Sequence, residues 1–146
     1  MADDAQLQRL RREAPGDAAA LLWLEPLAPG ARAYHRSALR RLRAAMDADA
    51  AGAAGFSIAR LALTAPDTVA RWMARRLPTP ALRRDAAGAM LALLKHGFPG
   101  MPAPLRARFQ APWRAAYAGF RAEASVDQPK EFDAEGKAAA LRGACT

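Results

Sequence analysis

Only seven of the 146 residues branch at Cβ: two Val, one Ile and four Thr. Strands need stiff, branched side chains that pack on a pleated surface. This chain instead carries 40 Ala, with Leu as its main large apolar residue. Both lose little entropy on entering a helix. The shortage of branched residues therefore excludes a sheet and predicts an all-α fold. Ala makes up more than half of the 52% of residues that are hydrophobic, so the core is thin for a lone domain of this size. No stretch approaches the 18 uncharged apolar residues of a membrane-spanning helix. A single cysteine, Cys145, excludes a disulfide framework or a cysteine zinc site.

Proline and glycine divide the chain. Pro15-Gly16, Pro29-Gly30, the small polar stretch 48–55, Thr64-Ala65-Pro66, Leu77 to Pro80 and Gly97 to Gly100 separate helical pieces. Helices are predicted over 3–14, 17–25, 31–47, 56–63, 66–77, 80–96 and 103–124, with a short one over 134–142. Thr64 reads as the cap of the 66–77 helix and Thr79 as the cap of the next, each followed closely by proline. The expected architecture is a single bundle of five to seven helices with acidic, partly flexible ends. Its parts are an N-terminal helical extension (1–28), a basic core (29–124) and an acidic tail (125–146). Residues 1–14 hold Asp3, Asp4 and Glu13, unlike a secretory or transit leader, so a soluble intracellular protein is expected.

Charge is unevenly distributed. Residues 31–121 hold sixteen basic residues and four acids, an excess of twelve positive charges, while the two ends together are net acidic. Nineteen of the 22 cations are Arg, which binds phosphate bidentately and stacks on bases. A GC-rich genome would also inflate Arg together with Ala, Gly and Pro, so placement has to decide.

On helical wheels, Tyr34, Ala38, Leu42 and Ala45 share one face of the 31–47 helix, with Leu39 and Met46 at its edge and Arg36, Arg40 and Arg43 opposite. In 66–77, Val69, Trp72, Met73 and Leu77 point inward, and Arg71 and Arg75 outward. In 80–96, Leu82, Ala86, Ala89, Met90 and Leu93 form the core stripe, with Arg84, Gly88, Leu91 and Lys95 behind it. Three helices thus carry outward strips without an acid, an arrangement that repels itself unless an anion offsets it. Trp113, Tyr117 and Phe120 form a further helical stripe, by default core but also a candidate partner-binding face. Trp23 is expected to pin the N-terminal helix.

Catalytic patterns are missing. His35 and His96 stand far apart with no metal-ligand spacing around them, and read as a surface residue and a helix C-terminal cation. No phosphate-binding glycine loop, nucleophile elbow or carboxylate dyad is found, so no enzyme, metal or cofactor is expected.

The stretch Thr64 to about Phe120 resembles the N-terminal core-binding (SAM-like) domain of tyrosine recombinases, the phage-integrase-like proteins. A helix with Val and Trp (TAPDTVARWMARRL) is followed by a Thr-Pro-initiated helix rich in Arg and Leu (TPALRRDAAGAMLALLKHGFP). A helix with spaced aromatics follows (FQAPWRAAYAGF). The resemblance implies a helical domain that clamps duplex DNA, with Arg71, Arg75, Arg83, Arg84 and Lys95 as contacts. The family's catalytic half would lie beyond this region, so no strand cleavage is implied.

These readings converge on a non-catalytic module that binds nucleic acid, duplex DNA ahead of RNA, with no membrane or small-molecule substrate. Its contacts are Arg36, Arg40, Arg43, Arg71, Arg75, Arg83, Arg84 and Lys95. Two alternatives remain: a structural subunit of a ribonucleoprotein, virion or other assembly, and a helical interaction module docking a protein on Trp113, Tyr117 and Phe120.

Overall fold

The computed structural model describes residues 2–14 and 16–127. Within them the chain is all-α, with no strand. It forms α1 (Ala2–Arg12), α2 (Asp17–Leu22), α3 (Pro29–Asp47), α4 (Ile58–Ala62), α5 (Pro66–Arg76), α6 (Pro80–His96) and α7 (Ala103–Asp127), with one 3-10 turn at Ala53–Gly55. The expected helix over 134–142 lies outside the described residues. α7 runs past residue 124, where the acidic tail was expected to begin, and it contains Pro112.

α6 is the central element. It packs along α7, crosses α3 and also meets α4 and α5. The alanines explain how a thin supply of large residues closes a core. Ala86, Ala87 and Ala89 are buried on α6 and let neighbouring helices approach closely. Leu42, Met46, Met73, Met90, Leu93, Leu94 and Trp113 then fill the remaining space, each fully buried. Leu7, Ala20 and Leu24 bring the N-terminal helices into the same core.

Helix starts follow local chemistry, with one correction. Thr79 Oγ1 accepts from Leu82 N at 3.2 Å and caps α6, and Ser57 Oγ accepts from Arg60 N at 3.1 Å and caps α4. Thr64 does not cap α5. Proline at the first position makes Ala65 the cap residue, which has no side chain to contribute. Thr64 Oγ1 lies one residue too early and donates instead to Arg60 O at 3.0 Å, closing α4.

Three expectations about faces are overturned. Tyr34 is 42% exposed rather than buried, while Leu39 and Met46, expected at the edge, lie in the core. The buried stripe of α3 runs through Ala38, Leu39, Leu42 and Met46. On α6 only Lys95 is exposed, and the strip through Arg84, Gly88 and Leu91 is half-buried. A Cβ added at Gly88 would stand 3.3 Å from Tyr117 Cε1, so α7 lies over the strip there. Trp23 is 40% exposed, and Leu24 beside it anchors the segment.

Candidate nucleic-acid interface

The eight predicted contact residues divide into two sets. Arg43 is half-buried and fully engaged. Its guanidinium bonds Asp17 Oδ2 at 3.1 Å, Asp47 Oδ1 at 2.7 Å, Phe56 O at 2.7 Å and Ala54 O at 3.2 Å. Asp17 also accepts from Ile58 N at 2.8 Å, so this cluster joins α2, α3 and the start of α4. Arg36 pairs with Glu25. Arg84 pairs with Asp85 at 3.0 Å, and Asp85 also accepts from the Tyr34 hydroxyl. Arg83 donates to Leu77 O at 3.0 Å and approaches Glu123 at 3.9 Å. These four arginines, expected as phosphate contacts, are all engaged in intramolecular ties. The expectation of acid-free strips is also overturned: Asp47 stands one turn from Arg43 on α3 and Asp67 one turn from Arg71 on α5, and the remaining acids come from other elements or from the next residue in sequence.

Arg40, Arg71, Arg75 and Lys95 form the second set. All four are exposed, and none has a carboxylate within 4 Å among the described residues. Arg71 and Arg75 lie one turn apart on α5, away from buried Val69, Trp72 and Met73. Arg40 lines a cleft of about 520 Å³ between α2 and α3 together with Arg36 and Arg43, walled by Leu21, Leu22 and Leu39. The structure does not bring α5's pair into that cleft.

Lys95 belongs to a different grouping that the sequence does not signal. It lines a 290 Å³ cavity with His35 of α3, His96 of α6, and Gln110 and Arg114 of α7. Burial pushes the His35 imidazole below its usual pKa, and nearby His96 adds to the effect. His96 ends α6, as expected, and burial and nearby Lys95 lower its pKa. His35 Nδ1 is buried without a hydrogen-bond partner, so His35 is not a plain surface residue. These histidines lie 61 positions apart, and no local spacing could have paired them.

Asp49 was also missed. It is 6% exposed in the stretch expected to be a loop. Its carboxylate accepts from Trp72 Nε1 at 2.7 Å, Ala53 N at 3.2 Å and Arg76 Nη2 at 3.0 Å. The Trp72 and Ala53 bonds, helped by Arg76 and Arg75, hold its pKa below the usual carboxylate range. An acid followed by Gly52-Ala53 is the only local hint of this turn.

The aromatic partner face is corrected as well. Trp113 is 0% exposed and Phe120 9%, because α7 turns this stripe into the core, and Tyr117 is only partly accessible. Trp113 offers a partner nothing to dock on. Among the described residues no cluster of three His, Cys, Asp or Glu side chains could hold a metal. No described helix is long and apolar enough to cross a membrane. No protein-family model, curated protein or solved structure matches the chain.

Proposed function

We propose that this chain is a non-catalytic helical module that binds nucleic acid, duplex DNA ahead of RNA, through Arg40, Arg71, Arg75 and Lys95. The observation that supports it is the survival of positive charge after folding. Every carboxylate within ion-pair distance serves another cation, and these four stay exposed with no such neighbour among the described residues. Phosphate neutralisation supplies the affinity in this reading. The α5 pair falls within the stretch that resembles a recombinase core-binding domain.

The test is a fluorescence-anisotropy titration with duplex DNA, single-stranded RNA and heparin over a range of salt. Reversing Arg71 and Arg75 to Glu should abolish duplex binding without unfolding. Neutralising both to Ala should lower the slope of log K against log salt by about 2, at ~0.9 per phosphate. Arg84→Glu is unsuitable, because it would set a carboxylate against Asp85 and disturb the fold. Unchanged binding by the Arg71/Arg75 variants, or equal binding to all three polyanions, would sink this reading.

A second reading, a subunit of a larger assembly, is favoured by one observation. Leu22 is 67% exposed and Trp23 40% exposed beside the α2/α3 cleft. Under that reading, polyanion binding is weak, and Leu22→Asp removes a salt-insensitive association.

A further inference from the structure

The cavity where α3, α6 and α7 meet holds an unusual donor set. Its polar lining consists of His35, Lys95, His96, Gln110 and Arg114, and no carboxylate lines it. The nearest documented ties do not neutralise it. Arg114 Nη2 reaches only the Gln110 amide oxygen, at 3.5 Å, and Tyr34, beside His35, is bonded to Asp85.

The positive end of the α3 dipole lies nearby. Ala31, in the first turn of α3, also lines the cavity, and that turn has no side-chain cap. The N–H groups of a first turn lack intrahelical acceptors and favour an anion. The carbonyl end of α6 would oppose one, but Arg106 takes up one of its last carbonyls and that of Phe98 beyond it. Arg106 Nε donates to Leu94 O at 3.0 Å and its Nη2 to Phe98 O at 2.7 Å. Leu91 and Ala92 supply an apolar wall.

We propose that this cavity is a binding site for a small phosphate-type oxyanion, held by Lys95 and Arg114 and gripped further by His35 and His96. Its volume of 290 Å³ admits a phosphoryl group with room to spare, so charge and not size selects the ligand class. Arg and Lys give fixed charge, and Gln110 gives a neutral amide donor. The two imidazoles add charge only when protonated. The groups facing them are Tyr34 on α3, Lys95 on α6, and Gln110 and Arg114 on α7. With no anion, burial disfavours protonation most, and the crowding of cations adds a further opposition. A bound oxyanion removes that opposition, so binding and proton uptake at His35 and His96 are linked and affinity rises as pH falls. The site shares Lys95 with the nucleic-acid reading, takes its other donors from elsewhere and does not rest on Arg71 or Arg75.

The experiment is an NMR titration of the full chain with sodium sulfate, following the histidine Cε1–H signals. Sulfate is chosen because its charge stays constant between about pH 5 and 8. Sodium chloride at matched ionic strength is the control. Sulfate should raise the pKa of both histidines and bind at least about tenfold tighter near pH 5.5 than near pH 8. Arg114→Ala and Lys95→Met, both at exposed positions, should each weaken it about tenfold or more. The Arg71→Glu/Arg75→Glu variant should bind sulfate normally, which separates this site from the duplex-binding surface. Competition by methyl phosphate identifies a free ligand. Competition only by a 5′-phosphorylated oligonucleotide, and not its unphosphorylated form, identifies a strand end. Histidine titrations that sulfate leaves unchanged, or that chloride shifts equally, overturn the proposal, as does undiminished binding by both cavity variants.

Discussion

Trp72 Nε1 donates to Asp49 Oδ2 at 2.7 Å, and both side chains are buried. One hydrogen bond thus ties the turn after α3 to the middle of α5, the helix that presents Arg71 and Arg75. The same carboxylate holds Ala53 N and Arg76, so the connection from α3 to α5 is organised around a single acid.

Asp49 makes stability depend on acid. Its folded pKa lies below its unfolded value, so its contribution is present above the ordinary carboxylate range of about 3.9 and is lost as pH falls through the folded pKa. Asp49→Asn should flatten the acid limb of thermal midpoint against pH. Trp72→Phe should flatten it partly, because the largest cause of the depression is gone. A Cβ at Gly52 would lie 2.5 Å from the held Asp49 Oδ2, so Gly52→Ala should also lower the midpoint.

Arg43 and Arg40 should separate cleanly in chemical denaturation. Arg43→Ala removes bonds to Asp17, Asp47, Ala54 and Phe56 and should destabilise by about 1–3 kcal/mol. Lys at this position should rescue little, since one ammonium cannot reach four acceptors. Arg40→Ala should change stability by no more than about 0.5 kcal/mol while weakening duplex binding.

Gly88 and Tyr117 should be energetically coupled. Replacing a mid-helix Gly by Ala gains roughly 1 kcal/mol of helix propensity. Here the new methyl meets Tyr117 Cε1 at 3.3 Å, and the partly exposed ring has to yield slightly. Gly88→Ala should therefore gain about 0.5 kcal/mol or less, and more in a Tyr117→Ala background, as a double-mutant cycle would show. An equal gain in both backgrounds would remove Tyr117 from the account.

Trp113 should behave as core. Its Nε1 is buried without a partner, so Phe at this position sheds an unsatisfied donor along with some volume. Trp113→Phe should cost about 1–2 kcal/mol, against about 3–5 kcal/mol for Trp113→Ala. The alanine variant should lose its thermal transition before any partner is added. A well-folded Trp113→Ala would restore the docking reading.

The alkaline limb should report Tyr34. Burial, then the bond to Asp85, pushes its pKa up to about 12. A group raised above its unfolded value of about 10 stabilises fully below that pH and loses its contribution as pH climbs through the folded value. Ultraviolet phenolate titration should find one tyrosine ionising late, and Tyr34→Phe should remove it.

The boundaries of the fold were legible because they rest on local chemistry. Thr79-Pro80 has to start a helix wherever it sits, since the hydroxyl and the fixed φ act within one turn. The all-α class was equally fixed by a chain with seven β-branched residues. Thr64 marks the limit of this reasoning, for a shift of one residue sent its hydroxyl to a different helix.

Charge placement was not legible, and the reason is range. A helical wheel shows which cations leave the core together, but it contains no other helix. Glu25 and Asp17 reach Arg36 and Arg43 across the α2/α3 boundary, and His35 meets the His96 neighbourhood across 61 residues. The sequence by itself determined helices, their ends and an excess of positive charge, because propensity, capping and composition act locally or additively. Only the tertiary structure decided which arginines stay exposed, which face of α6 is covered and which donors share a cavity. Ion pairing and desolvation act over a few ångströms of space, and sequence distance does not encode that proximity.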